Sequence, residues 1–290
     1  MKTTFASITS TAAIVAACAM SANALAVPHM EKRIIGGYDL PGDAAPFAVH
    51  LEFTGTKGSF VCGGTVITPK HVLTAAHCVF TEDGHLYLPS NTTVGYGDDS
   101  LTKQKVIRPT KLIPHPEYSA ATATTRGVND IAIIEVEGFD ATLNVGTLPI
   151  YAGAVPAGQE LVALGWGTTV SNNDPHTLPD TLKGAQLHVG DAEGCQVYDP
   201  DYTSSDGPRI CTLNKYNPGT STCKGDSGTG VVIVSDNKVY LAGLDSEGGR
   251  VNNDPTCGTA DGYTLFTHVY NQLAFIMQYT GYPLEYLTRS

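Results

Sequence analysis

Short apolar and β-branched runs recur along this chain, separated by glycine, proline, asparagine and aspartate, and they dominate what it can fold into. Examples are F-A-V-H-L-E-F (47–53), G-T-V-I (64–67), I-A-I-I-E-V (131–136), E-L-V-A-L-G-W (160–166), G-V-V-I-V (230–234) and K-V-Y-L-A-G-L (238–244). Many short runs at this spacing read as an all-β barrel or sandwich. The one long helical pattern is terminal. Val269, Leu273, Ile276 and Met277 recur at three- and four-residue spacing, and Gly281 with Pro283 closes the pattern. The stretch N-V-G-T-L-P-I-Y-A-G (144–153) is the best candidate for a connection between two halves. Neither an internal repeat nor a low-complexity tract interrupts the pattern.

At the N-terminus, Lys2 precedes the small apolar run T-A-A-I-V-A-A-C-A-M and then S-A-N-A-L-A. Ala24-x-Ala26 has the small residues of a cleavage site, so residues 1–26 read as a secretory signal peptide. As a membrane anchor the run is too short, and Ser and Thr interrupt it. The expected product is secreted, extracellular and not bound to a membrane. Of seven cysteines, Cys18 leaves with the signal. Cys62, Cys78, Cys195, Cys211, Cys223 and Cys257 remain, an even number that points to three disulfides in an exported chain. Spacing alone leaves their connectivity open. No C-x-x-C or H-x-x-x-H pair suggests a metal, and no cofactor is expected.

The segment V-P-H-M-E-K-R (27–33) ends in a dibasic pair before I-I-G-G. It fits a charged linker as well as a propeptide removed by a protease that cuts after Arg33. The chain carries 17 basic and 28 acidic residues; losing residues 1–33 removes Lys2, Lys32, Arg33 and Glu31 and leaves a formal charge of −13. Such a surface lacks the basic patches that nucleic acid needs.

Three stretches carry groups able to do nucleophilic chemistry. In T-C-K-G-D-S-G-T-G (222–230), Ser227 sits between Asp226 and glycine; alone, this composition suits a turn as well as a nucleophile. His77 lies in L-T-A-A-H-C-V (73–79), beside a cysteine that a disulfide would tether. Asp130, in V-N-D-I-A-I-I (128–134), stands at the mouth of an apolar strand, where a carboxylate needs a partner or serves as a turn cap. Acyl transfer on a hydroxyl needs a serine, an imidazole to take its proton and an acid to orient that imidazole.

With these residues in place, the chain resembles the chymotrypsin/trypsin family of secreted serine endopeptidases over 34–290. The matching pieces are I-I-G-G (34–37), F-V-C-G-G-T-V-I (60–67), L-T-A-A-H-C (73–78), N-D-I-A-I (129–133), G-W-G (165–167) and C-K-G-D-S-G (223–228), in the order His, Asp, Ser. The resemblance implies an all-β fold of two packed antiparallel six-stranded β-barrels with a C-terminal helix, divided at about 34–146 and 147–290. It implies Ser227 as nucleophile, His77 as general base and acid, and Asp130 as the group that fixes the imidazole tautomer. Gly225 and Ser227 would supply the oxyanion-hole N–H groups. The implied disulfides are Cys62–Cys78, Cys195–Cys211 and Cys223–Cys257. The resemblance also makes 27–33 a propeptide: cleavage after Arg33 by an activating protease would free the Ile34 amine to pair with Asp226. Partners would be protein or peptide substrates, with the enzyme a monomer.

The specificity pocket departs from the trypsin pattern. Ser221 stands where trypsin-like members carry aspartate, Ser246-Glu247-Gly248 replaces Ser-Trp-Gly, and Thr264 occupies a frequent glycine position. A neutral floor shortened by Thr264 implies small or medium aliphatic residues before the scissile bond. Asp261, reaching into the pocket, would restore a basic preference, and Glu247 would either select basic residues at the next subsite or stand solvated on the rim. G-D-S-G-T-G replaces G-D-S-G-G-P, which puts Thr229 in the packing behind the nucleophile. Asn91-Thr92-Thr93 is an N-glycosylation sequon. Asp98 and Asp99 read as a solvated turn, with no metal. The alternative function is a non-catalytic homologue that binds or inhibits a partner through the same scaffold.

Overall fold

A computed structural model describes residues 35–122, 125–170, 178–251 and 254–290. The expected signal peptide (1–26) and propeptide (27–33), with Arg33 and Ile34, lie outside the described residues. The fold consists of two curled antiparallel sheets and a short C-terminal helix, consistent with the chymotrypsin-like architecture.

The first sheet is built from β2 (Ala48–Gly55), β3 (Gly58–Thr68), β4 (His71–Thr74), β5 (Thr92–Tyr96), β6 (Lys105–Ile107), β7 (Lys111–Pro114) and β8 (Ala132–Glu135), in the order β6-β5-β2-β3-β4-β8-β7. The second contains β1 (Tyr38–Asp39), β9 (Glu160–Gly165), β10 (Lys183–His188), β11 (Arg209–Leu213), β12 (Gly230–Ser235), β13 (Lys238–Gly249) and β14 (Tyr263–His268), in the order β1-β10-β9-β12-β13-β14-β11. Among the described residues each sheet thus has seven strands rather than six. In the second, the two-residue β1 docks on the edge of β10, Tyr38 opposite Gly184.

Alternation explains β2: Val49, Leu51 and Phe53 are buried while His50 and Glu52 lie between them on the other face. β8 is buried at Ala132, Ile133 and Ile134, so it reads as a continuous apolar run. Segment 144–153 carries no strand and touches both sheets: Leu148 N–H donates to Val66 C=O at 2.9 Å and Tyr151 N–H to Leu241 C=O at 2.9 Å.

The terminal helical pattern divides into a 3-10 turn, Val269–Gln272, and α2 (Leu273–Thr280), following the short α1 (Ala192–Gln196). The tighter turn changes the angular phase. Val269 and Ile276 are buried as the periodicity predicts, but Met277 is exposed and Phe275 takes the inward position. Gly281, at φ +73°, ends α2 by donating its N–H to Met277 C=O at 3.0 Å. Pro283 then leads into α3 (Leu284–Leu287).

The disulfides are Cys62–Cys78, Cys195–Cys211 and Cys223–Cys257, the pairing that the resemblance implies.

Candidate active site

β4 runs directly into a 3-10 turn, Ala76–Val79, that carries His77, and the Cys62–Cys78 bridge ties this turn to β3. Asp130 precedes β8 and follows Asn129, whose φ of +50° turns the chain sharply. The two meet: His77 Nδ1 lies 2.8 Å from Asp130 Oδ2, and His77 N–H donates to Oδ1 at 2.9 Å. Ser246 Oγ donates to Oδ2 at 2.6 Å, and Thr267 Oγ1 donates to the Asp130 backbone carbonyl at 2.8 Å. Asp130 is 4 % exposed. Burial alone would raise its pKa, but the His77 charge and the converging hydrogen bonds outweigh that and hold it below the usual carboxylate value. For His77 burial opposes the charged imidazolium; the Asp130 charge and hydrogen bond overcome it and push the imidazole above its ordinary pKa.

Ser227 stands at the tip of the turn between Gly225 (φ +95°) and Gly228 (φ +75°). Its carbonyl accepts the Gly63 N–H at 2.8 Å, and a Cβ on Gly228 would strike Thr74 Oγ1 and approach Ala75 N at 2.8 Å. The turn that carries Ser227 is therefore packed against the segment that carries His77. The neighbouring N–H groups are used: Asp226 donates to Cys223 C=O at 3.0 Å and Gly228 to Asp245 C=O at 2.8 Å. Among the described residues, those of Gly225 and Ser227 have no protein acceptor, and the Ser227 hydroxyl makes no hydrogen bond to His77. Such contacts often tighten only when substrate is bound.

Asp226 is fully buried. It accepts N–H groups from Gly167 and Cys223, each at 2.8 Å. Gly165 and Gly167 flank Trp166 because a Cβ at either would collide with this carboxylate. Burial, and secondarily the charge of Asp245, pushes the Asp226 carboxyl up to about 8. Ile35 lies beside Ser221, an expected pocket residue: Ser221 N–H donates to Ile35 C=O at 3.0 Å. Thr229 fills the space over two glycines, since its Cγ2 lies where a Cβ of Gly63 would fall and 3.3 Å from where one of Gly165 would.

Around the expected pocket, Ser221 is buried and its hydroxyl accepts the Gly258 N–H at 2.7 Å. Gly248 pairs with Thr264 across β13 and β14, which fixes the register of Thr264. Thr264 Oγ1 lies 3.3 Å from Thr222 Oγ1. Asp261 is exposed and bound to Arg250, with N–O distances of 3.0 and 2.8 Å, so its carboxylate is engaged outside the pocket. Glu247 faces Arg126, Nη1 to Oε2 at 3.6 Å, and that guanidinium also donates to Tyr198 C=O and lies over the Tyr263 ring. Glu247 is therefore a half-buried residue partnered by Arg126. Of the two turn aspartates, Asp98 accepts the Ser100 N–H at 2.8 Å, and the Asp99 backbone carbonyl takes the Trp166 indole N–H at 2.8 Å.

The comparison with known proteins decides the assignment: residues 34–276 match the family model described as Trypsin. The chain belongs to the trypsin family. It is 33% identical over 208 residues to Trypsin I-P1 of Gallus gallus, covering 70% of this chain and 75% of the relative. It is 31% identical over 217 residues to Trypsin epsilon of Drosophila erecta, covering 73% and 77%. With Serine protease 1 of Rattus norvegicus the identity is 30% over 249 residues, 85% of this chain and 89% of the relative.

Within this trypsin-family chain, three contributors to the site escape sequence reading. Thr267 and Arg126 approach from distant segments, and no motif marks either. Asp245 adjoins the Ser246-Glu247-Gly248 segment but looks like an ordinary polar residue at a strand end. Its burial, with 5 % exposure, is visible only in three dimensions.

Proposed function

We propose that this trypsin-family chain is a secreted serine endopeptidase, made as a zymogen, that hydrolyses peptide bonds through an acyl-enzyme. Ser227 Oγ attacks the scissile carbonyl carbon as His77 Nε2 takes its proton. The N–H groups of Gly225 and Ser227 stabilise the resulting oxyanion. His77 gives the proton to the leaving amine, and the C–N bond breaks to leave an acyl ester on Ser227. Water then attacks the ester, His77 again moves the proton, and the carboxylic product leaves with Ser227 restored. Asp130 holds His77 in the tautomer with Nδ1 protonated and stabilises the imidazolium.

The observation that carries this reading is the convergence of His77, Ser246 and the Asp130 carboxylate next to a Ser227 turn whose Gly225 and Ser227 N–H groups have no protein acceptor among the described residues. The position of Ile35 against Ser221 supports activation by cleavage after Arg33, with the Ile34 amine as the cation for Asp226. Division into halves of about 34–146 and 147–290, monomeric action and glycosylation of the exposed Asn91 belong to the same proposal. Ser221 and Thr264 by themselves favour an aliphatic residue before the scissile bond; the buried Asp245 adds a charge that their composition lacks.

A fluorophosphonate probe tests the reading. Ser227 is expected to label rapidly in the Ile34-initiated chain and slowly in the precursor. A folded, processed chain that does not label would instead be a homologue that binds without catalysis.

A further inference from the structure

We propose that Asp245 is the specificity-determining residue of the primary pocket, a carboxylate supplied by the side wall that accepts a Lys or Arg side chain before the scissile bond. This inference rests on the endopeptidase reading above and refines its substrate class.

Position is the first argument. On β14, Thr264 and Phe266 lie two residues apart and so share a face of the sheet. Their partners on β13 are Gly248 and Asp245. Asp245 therefore stands on the same side as the two pocket residues Gly248 and Thr264. Thr264 reaches Thr222 from the opposite wall at 3.3 Å, and the Thr222 hydroxyl is also the polar neighbour that favours the ionised form of Asp245. Main-chain bonds hold Asp245 against the nucleophile turn: its N–H donates to Thr229 C=O at 2.9 Å and its C=O accepts the Gly228 N–H at 2.8 Å. Ser246 forms a bulge in the β13–β14 pairing, and its hydroxyl goes to Asp130 while Asp245 stays on the pocket side.

Charge is the second argument. Asp245 is buried, and among the described residues no Lys or Arg is one of the groups acting on it. The ionisable groups that face it are His77 from the turn after β4, Asp130 from the turn before β8 and Asp226 from the nucleophile turn. Two of those three are acids. A buried carboxylate in such company is costly unless a cation is brought to it, and a Lys or Arg side chain entering the pocket is such a cation. Burial raises the Asp245 carboxyl to about 7, with the Thr222 hydroxyl and the His77 charge pulling down and Asp130 pushing up. The pocket is then more anionic at alkaline pH, and its preference for cations grows as pH rises.

The test measures kcat/KM for matched peptide anilides with Lys, Arg, Leu or Val before the bond, using chain titrated at Ser227 with a fluorophosphonate. Wild type is expected to favour Lys and Arg over Leu and Val at least tenfold at pH 8. Asp245→Asn, which keeps the shape, is expected to lower the Lys-to-Leu ratio about 100-fold, the scale set by removing one partner of a desolvated charge pair. A second measurement needs no variant: the wild-type Lys-to-Leu ratio should rise between pH 6 and pH 9, the division cancelling the His77 titration common to both substrates. A labelled enzyme that cleaves Leu or Val peptides as fast as Lys peptides overturns this inference alone. So does an unchanged ratio in Asp245→Asn. A processed chain that never labels overturns the endopeptidase reading itself and this inference with it.

Discussion

Ser246 Oγ donates to Oδ2 of Asp130 at 2.6 Å, the same oxygen that lies 2.8 Å from His77 Nδ1. One carboxylate oxygen thus serves both the imidazole and a hydroxyl from the other sheet. Removing the acid and removing its support should have different sizes. Asp130→Asn is expected to lower kcat about 10⁴-fold near neutral pH, because an amide favours the wrong imidazole tautomer. Ser246→Ala removes one charge-assisted hydrogen bond and is expected to cost on the order of 10-fold. Steady-state kinetics on one peptide substrate check both, and equal losses would show that Ser246 does more than support Asp130.

The pH profile follows from the same contacts. The proposed mechanism needs neutral His77, and the Asp130 charge and hydrogen bond, set against burial, hold its pKa above 6.5. Activity should rise with pH through a midpoint above 6.5 and be lost below it. A pH–kcat/KM series on a Leu or Val substrate reads this limb without a substrate charge near Asp245. A midpoint below 6.5 would mean that burial, not Asp130, dominates.

Gly225 adopts φ +95°, and an added Cβ would come within 3.2 Å of the Gly167 Cα. Gly225→Ala is strained on both counts. The expected result is a loss of about 10²–10³ in kcat with a smaller change in KM, the size of one oxyanion donor. Labelling of Ser227 should slow in parallel, since the same N–H groups serve the phosphonyl oxygen. Loss confined to KM would move Gly225 out of the oxyanion site.

Asp245 has a consequence for stability. An aspartate raised from 3.8 to about 7 holds its proton more tightly when folded, so it costs nothing below 3.8. The penalty grows as pH rises between those values and is complete above about 7, on the order of 4 kcal/mol. Asp245→Asn should therefore melt several degrees above wild type at pH 8, the gap closing as pH falls toward 4. Thermal denaturation of the Ser227→Ala background avoids self-digestion. A gap that is constant with pH would point to packing instead of charge.

Much of the fold was legible because strand patterning is local. The run 47–53 reads directly as β2, and 131–136 reads as β8, since alternation or continuous apolarity is set by which faces are buried. β6 and β7 escaped because each is held mainly by a neighbour and carries little pattern of its own. Met277 was misplaced because a 3-10 turn before α2 rotated the helical phase. At the site, His77, Asp130 and Ser227 stood out through their motifs, and the glycines of G-W-G find their reason in the Asp226 carboxylate that they accommodate.

Sequence by itself determined the inventory and its order: the family motifs, the glycines at turns that need positive φ, and the even set of cysteines. These follow from covalent chemistry and short-range sterics, which travel with the residues. The tertiary structure alone decided which acids share the site. Asp130 meets His77 and Ser246, Asp226 is enclosed by the G-W-G glycines, Asp261 is bound by Arg250, and Asp245 is turned toward Thr222. Burial and charge coupling depend on which strands lie side by side and on a bulge of one residue at Ser246. Neither is a property of any single segment.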